Sequence, residues 1–325
     1  MDAGGRIHPL DVFGLRPLGS ALAPLRQVAV GGNGGPGTMW GPSSVRIFKP
    51  RIGLPTWAGR TRRDRCVWLY NFFNRVPQPA AQGYSVEVTY CRDFAGGRWT
   101  YDGHLGTDFA CPVGTPIVAG APGLVLRVSN ELDHGGLKVC VDHGDGLFTT
   151  HNHLARALVH AGERVARGQP VGLSGASGLE FVLFFPWVSP HLHYNVWLDG
   201  LPVDPFAIPG EASLWCRRND PVPLGEGGNG DATFEPSVWD PDGVEAAIDA
   251  CRDPGLREQL RAVTPLPQRA AAVLLKRSYR RALFDSLPPL YEKRHERRPW
   301  LDLPFRAADF RGVWLPPHAR ETARA

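Results

Sequence analysis

The spacing of apolar positions divides the chain into parts of different character. Residues 1–63 combine many Gly, Pro and Arg residues with weak periodicity, which favours loop over regular structure. From about residue 65 to residue 208, short runs rich in β-branched and aromatic residues alternate with Gly turns. The runs that predict strands are CVWLYNFF, YSVEVTYC, TPIVAGAPGLVLRVSN, GLKVCVDHGDGLFTTHNHL, QPVGLSG and LHYNVWLDG. Such closely spaced strands are typical of an antiparallel β-sandwich or a barrel-like domain.

The C-terminal part changes to a helical pattern. After about residue 210 a turn-rich linker leads into DPDGVEAAIDACRDPGLREQLRAV, which starts with the Asp residue that helix N-termini favour. LPQRAAAVLLKRSYRRALFDSL then repeats apolar residues at three- and four-residue steps. The sequence therefore predicts an irregular N-terminal segment over residues 1–64, a mainly β domain over 65–210, and a linker with an α-helical extension over 211–325.

Composition and charge exclude several classes of protein. The net charge of +4 over 325 residues comes without a basic stripe or a known recognition motif, so we predict no nucleic-acid partner. No apolar run reaches the roughly 18 residues of a membrane span, so no transmembrane segment is expected. The N-terminal residues show no basic stretch followed by an apolar core, so the sequence predicts no secretory signal peptide.

The six cysteines leave two interpretations open. None of them forms a CxxC pair, which argues against a cysteine-rich structural zinc site. An even number permits disulfides in an oxidising compartment, and six reduced, mostly buried thiols are equally compatible with the sequence.

Histidine clusters carry the chemical signal of the β region. GHLGTDF contains His104 and Asp108, HNHL contains His151 and His153, and HLH contains His191 and His193. Residues two apart on a strand share a face, so both members of each His-x-His pair are expected on one side. A hydrolytic zinc site needs three His or carboxylate ligands and one position open to water. The motif HExxH is absent, so an imidazole must serve as the acid–base group.

The order and spacing of these residues resemble the LytM/lysostaphin-type zinc endopeptidases of peptidase family M23, over about residues 100–208. The resemblance implies a metallopeptidase that uses Zn²⁺, held by His104, Asp108 and His193, to cut peptidoglycan stem peptides or cross-bridges. It implies that His153 and His191 are catalytic residues that do not ligate the metal. It also implies a location in the cell envelope or periplasm, or outside the cell.

Other functions and some departures from the family remain open. The alternatives are a non-catalytic regulator of a cell-wall amidase and a metallopeptidase that acts on a non-wall peptide. His151 replaces a residue that is usually aromatic in the family, and could be a spare ligand, a supporting donor or a neutral substitution. We expect the apolar insert LEFVLFFPWVSP to line the substrate groove; a lid, a protein-binding patch and a buried strand are alternatives. A protein partner of the C-terminal extension is also possible.

Overall fold

The computed structural model describes residues 6–16, 38–78, 83–225 and 233–324. One β-sheet of eleven strands forms its centre. The strands are β1 Cys66–Asn71, β2 Thr107–Ala110, β3 Pro116–Val118, β4 Gly123–Glu131, β5 Gly136–Asp142, β6 Leu147–Ala157, β7 Arg164–Val165, β8 Pro170–Ser174, β9 His191–Leu198, β10 Leu201–Pro202 and β11 Gly312–Trp314.

The main path of the sheet runs β11-β1-β2-β9-β6-β5-β4-β7, and β3, β8 and β10 pair to its side. Neighbouring strands in this path are antiparallel, except that β11 pairs in parallel with β1. The described strands do not close into a barrel. The mainly β class is therefore confirmed, as a mixed open sheet.

Strand β9 shows how alternation separates the core from the site. Leu192, Tyr194 and Val196 belong to the main apolar core on one face of the sheet. His191 and His193 alternate with them and therefore lie on the other face. Trp197 lies further along that second face, in a separate apolar cluster beneath helices.

The helices are short, and those of the C-terminal part pack on the sheet. They are α1 Pro9–Val12, α2 Pro50–Trp57, α3 Leu179–Phe184, α4 Pro241–Asp249, α5 Pro254–Arg261, α6 Leu266–Tyr279 and α7 Pro317–Arg324, with 3-10 turns at Pro42–Ile47 and Arg281–Leu283. Val244, Ile248 and Leu274 pack in one cluster with Phe148 and Trp197 of the sheet. This confirms the predicted helical C-terminal part. Within the described residues, none of the helices has the length and apolar character that crossing a bilayer requires.

Several local expectations were wrong. YSVEVTYC forms no strand and contributes only a single bridge, from Ser85 to Met39. The backbone N–H groups of Thr89, Tyr90 and Cys91 each donate to the buried Asp102 carboxylate at 3.1 Å, so a side chain replaces the ladder there.

The terminal parts are also more regular than their sequences predict. The sequence predicts loop over residues 1–63, but this segment contains α1 and α2. The part of that prediction that falls on residues 17–37 lies outside the described residues. Beyond Pro299, the irregular stretch includes β11 and α7. The six cysteines are all free thiols in this structure, as the reduced interpretation expects.

Candidate metal and catalytic site

Pairing of β2 with β9 brings distant parts of the sequence together. Asp108 lies opposite His193, and Ala110 lies opposite His191, in the antiparallel register of these two strands. His104 lies just before β2 and is 1% exposed, while Asp108 is 2% exposed. The expectation that His191 and His193 share a face agrees with this arrangement, since both rings approach Asp108.

Three donor atoms converge where the sequence predicts the metal. The Nε2 atom of His104 lies 3.1 Å from Oδ1 of Asp108 and 3.2 Å from Nδ1 of His193. The same Oδ1 atom lies 2.7 Å from Nδ1 of His193. His104 Nδ1 faces the carbonyl oxygen of Phe72 at 2.6 Å, so this nitrogen carries the proton and Nε2 presents a lone pair. Nε2 of His104 and Oδ1 of Asp108 are therefore electron-rich atoms that face each other in a buried space.

This donor set fits a zinc ion. Ligand atoms about 2.1 Å from tetrahedral zinc lie about 3.4 Å apart. The observed separations of 3.1, 3.2 and 2.7 Å are shorter, so the side chains would move apart slightly to hold the ion. Burial opposes ionisation of Asp108, but the imidazole rings around it, those of His104 and His191 foremost, outweigh burial and hold the pKa of Asp108 well below its usual value. The carboxylate is therefore ionised at neutral pH, as ligation requires. Two imidazoles and one carboxylate leave room for a fourth ligand.

A second group of side chains also meets the distance criterion for a metal site. The donor atoms of His153, His191 and His193 lie within 4.8 Å of one another. His193 belongs to both groups, so the two candidate metal sites are adjacent parts of one cluster of side chains. The first group contains a carboxylate and the second contains only imidazoles. Since an anionic oxygen offsets the charge of a divalent cation, we favour the first group as the resident site.

A bulge in β6 separates the two histidines of HNHL. Leu137 pairs with Leu154 and Val139 pairs with His151, so β6 uses one residue more than β5 between these pairs. His153 lies within this irregularity and has a left-handed φ of 61°. Its ring reaches the site, with centroids 4.8 Å from His191 and 5.7 Å from His193.

His151 therefore does not share the face of His153, and that expectation was wrong. Its ring packs against Tyr194 at 5.1 Å, on the side of the main core. Burial lowers the pKa of His151 to about 3, so the ring is neutral. His151 approaches neither group of candidate ligands, which leaves the neutral substitution as the interpretation that fits.

His153 and His191 are oriented in the same way. Nδ1 of His153 donates to the carbonyl oxygen of Ser177, and Nδ1 of His191 donates to that of Ser189, each at 2.7 Å. Each ring then turns its Nε2 lone pair towards the cluster, and Nε2 of His191 is 3.5 Å from Oδ1 of Asp108. Burial lowers the pKa of both rings, that of His153 well below its usual value. Both are therefore neutral and able to accept a proton.

The apolar insert forms α3 beside these rings, so the alternative of a buried strand was wrong. Phe181 is fully buried and packs 5.0 Å from the ring of His153 and 5.2 Å from that of His191. The insert also exposes a row of large apolar side chains, namely Val182, Leu183, Phe185 and Trp187. The insert thus lies at the site on one side and meets solvent on the other, as a groove-lining segment would.

Sequence reasoning missed several polar side chains that reach the cluster. Glu180 places Oε1 3.2 Å from Nε2 of His153. Tyr101 packs its ring 4.6 Å from that of His104, and its hydroxyl meets that of Tyr84 at 2.9 Å. Asn71 donates to Oδ2 of Asp108 at 2.8 Å. None of these residues forms a motif with the histidines, and only the fold brings them near.

We expect Glu180→Ala to change how activity depends on pH. Partial burial raises the pKa of Glu180 to about 7, and the charge of Asp108 acts in the same direction. Below that pH the carboxyl group carries a proton and can donate a hydrogen bond to Nε2 of His153. This hydrogen bond occupies the lone pair that His153 needs in order to act as a base. Glu180→Ala should therefore raise activity at pH 6 relative to pH 8. Rate profiles of both proteins test this, and superimposable profiles would contradict it.

Comparison with known proteins gives matches over the segment that contains this site. Residues 102–205 match the model of peptidase family M23. The peptidoglycan DD-endopeptidase ShyA of Vibrio cholerae is 40% identical over 101 residues, which cover 31% of this chain and 22% of that protein. The DD-carboxypeptidase/endopeptidase Mpg of Neisseria meningitidis is 32% identical over 105 residues, which cover 32% and 22%. The matched region thus spans about a fifth of the length of these relatives.

Solved structures give similar matches. The chain is similar to the catalytic domain of a mutant of the prophage-encoded M23 protein EnpA from Enterococcus faecalis, with 26% identity and a TM-score of 0.33 over 47% of this chain and 99% of that one. It is also similar to the catalytic domain of lysostaphin from Staphylococcus simulans, with 28% identity and a TM-score of 0.28 over 31% and 75%.

The family match falls on the segment that contains the histidine clusters. All five predicted site residues lie within residues 102–205. Residues 102–205 therefore match peptidase family M23, and the resemblance seen in the sequence is confirmed for this segment.

Proposed function

We propose that this protein is a zinc-dependent endopeptidase that hydrolyses peptide bonds in peptidoglycan stem peptides or cross-bridges. The observation that carries the proposal is the meeting of His104, Asp108 and His193 donor atoms beside two further oriented imidazoles. The relative ShyA, which is named as a peptidoglycan DD-endopeptidase, supports the choice of substrate.

His104, Asp108 and His193 would hold the metal. Bound zinc supplies a Lewis acid that polarises a carbonyl group and lowers the pKa of a water molecule to about 7. The chain contributes a buried carboxylate that is ionised at neutral pH, a lone pair on Nε2 of His104 that faces it, and Nδ1 of His193 beside it. His104 is kept in the required tautomer by the carbonyl group of Phe72.

His153 and His191 would move the protons of the reaction. Their Nδ1 atoms are occupied by backbone carbonyl groups, so proton exchange is confined to the two Nε2 atoms. We propose that Nε2 of one ring accepts a proton from the attacking water and passes it to the nitrogen of the peptide bond as that bond breaks. The other ring, when protonated, donates a hydrogen bond to the oxygen on which negative charge develops. Neither role can pass to His151, whose ring lies in the core.

The remaining parts of the chain would govern access to substrate. We propose that residues 65–210 form the catalytic unit and that the flanking segments 1–64 and 211–325 shape the groove or bind a protein partner. Peptidoglycan as substrate implies a location in the cell envelope, the periplasm or outside the cell. The exposed side chains of Leu183 and Trp187 would then border the groove.

Digestion of purified bacterial peptidoglycan tests this function. We expect the zinc-loaded protein to release new amino groups, a chelator to stop the release, and added zinc to restore it. His104→Ala supplies the matched inactive control, since it removes one proposed ligand. Bound zinc without cleavage of peptidoglycan, but with cleavage of another peptide, would contradict the proposed substrate. Absence of both zinc and cleavage would favour a non-catalytic regulator.

A further inference from the structure

Two residues outside the family-matched segment form a hydrogen-bonded chain that ends on Asp108. The Nζ atom of Lys49 donates to Oδ1 of Asn71 at 2.5 Å. Nδ2 of Asn71 donates in turn to Oδ2 of Asp108 at 2.8 Å. Asn71 ends β1 and lies directly opposite Asp108 in β2, so strand pairing sets this contact.

The direction of this chain follows from the chemistry of its ends. Burial lowers the pKa of Lys49 to about 7, but its Nζ carries N–H groups in either protonation state and donates to the amide oxygen of Asn71, which therefore faces Lys49. The amide nitrogen must then face Asp108, whose ionised carboxylate can only accept. Asn71 is 3% exposed, so water does not compete strongly for either contact. The amide of Asn71 therefore has one favourable orientation.

Because of this contact, the two carboxylate oxygens of Asp108 have different partners. Oδ1 faces His104 and His193, while Oδ2 accepts from Asn71. With Oδ2 occupied, the carboxylate plane is fixed and a single oxygen is presented to the two imidazoles. Partners of this kind orient a metal ligand without touching the metal.

The N-terminal segment holds Lys49 in place. Its Nζ atom lies 4.7 Å from the ring centroid of Tyr70 and 4.9 Å from that of Trp99. Lys49 immediately precedes α2, and Trp57 at the end of this helix donates from Nε1 to the carbonyl oxygen of Val188 at 2.9 Å. The segment around α2 is thus tied to the region beside the site.

We propose that Asn71 and Lys49 are positioning residues for Asp108 and raise the affinity of this protein for a divalent metal ion. The inference rests on the proposed zinc site and assigns a role in it to a segment that the family match does not cover. Loss of an outer partner of a metal ligand typically lowers metal affinity by roughly 10–100-fold.

The test is the zinc dissociation constant of the full chain, measured by competition with a chromogenic chelator. We expect Asn71→Ala to weaken zinc binding by roughly 10–100-fold. Lys49→Met should weaken it by at least about threefold in the wild-type background and have no effect when Asn71 is already alanine. Lys276→Met is the matched control, because Lys276 is also half-buried and pairs with Glu131 on another part of the sheet.

The outcomes separate this inference from the proposed function. Circular dichroism without zinc shows whether each variant folds. If Asn71→Ala does not fold, the zinc affinity of Lys49→Met decides the test. If Asn71→Ala and Lys49→Met both bind zinc as tightly as the wild type does, this inference is overturned and the proposed function is not. Tighter binding in Lys49→Met would also overturn it, because Lys49 would then act as a repelling charge. A wild-type chain that takes up no zinc would overturn both.

Discussion

Asp108→Asn is expected to abolish zinc binding at micromolar metal and to remove peptidase activity with it. The substitution keeps the shape of the side chain but removes the carboxylate that faces Nε2 of His104 and Nδ1 of His193. It also turns one end of the side chain into a donor, which cannot accept from Asn71 if that end occupies the position of Oδ2. The loss of affinity should exceed the roughly 10–100-fold that an outer partner contributes.

Zinc-dependent stability measures this effect without an activity assay. At zinc concentrations about 100 times the dissociation constant, binding raises the free energy of unfolding by about 2.7 kcal/mol. We expect that gain in the wild type and none in Asp108→Asn. Asp142→Asn is the control, since Asp142 is also fully buried but accepts from Ser237 away from the cluster. A zinc-dependent gain in Asp108→Asn equal to that of the wild type would contradict the ligand assignment.

His153→Ala is expected to retain one zinc per chain and to lose roughly 10²–10⁴-fold in turnover. Its Nε2 lone pair faces the cluster, yet it lies outside the favoured ligand group. His191→Ala should behave in the same way, because that ring is oriented by an equivalent backbone contact. Turnover and metal content measured on the same preparation separate loss of proton transfer from loss of metal.

His151→Phe is the matched control for this result. The two residues lie two positions apart on β6, but His151 keeps the regular register beside Tyr194 on the core side, while the bulge turns His153 towards the site. Phenylalanine removes the ring nitrogens and keeps an aromatic ring of similar size, so activity should stay near that of the wild type. Normal turnover in His153→Ala combined with a large loss in His151→Phe would reverse the assignment of these two histidines.

The sequence predicted the parts of the site that depend on regular strands. His191 and His193 share a face because β9 is a regular strand that alternates between core and site. The same rule failed for His151 and His153, because an extra residue in β6 and a left-handed φ rotate one of them. A bulge leaves no clear pattern in a single sequence, whereas alternation does.

Contacts between residues that are distant in the sequence could not be predicted either. Asn71 reaches Asp108 through the pairing of β1 with β2, and Lys49 reaches Asn71 from a segment with weak periodicity. A buried strand was one alternative for the insert because its residues are apolar and aromatic, but only Phe181 among its large apolar side chains in α3 is fully buried. Periodicity cannot distinguish a short apolar helix from a strand of the same length.

Anomalous diffraction from a zinc-loaded crystal at the zinc absorption edge tests the central claim most directly. The account predicts one strong peak at about 2.0–2.2 Å from Nε2 of His104, Oδ1 of Asp108 and Nδ1 of His193. A peak centred instead among His153, His191 and His193 would contradict it, and would make the proposed catalytic imidazoles ligands of the metal.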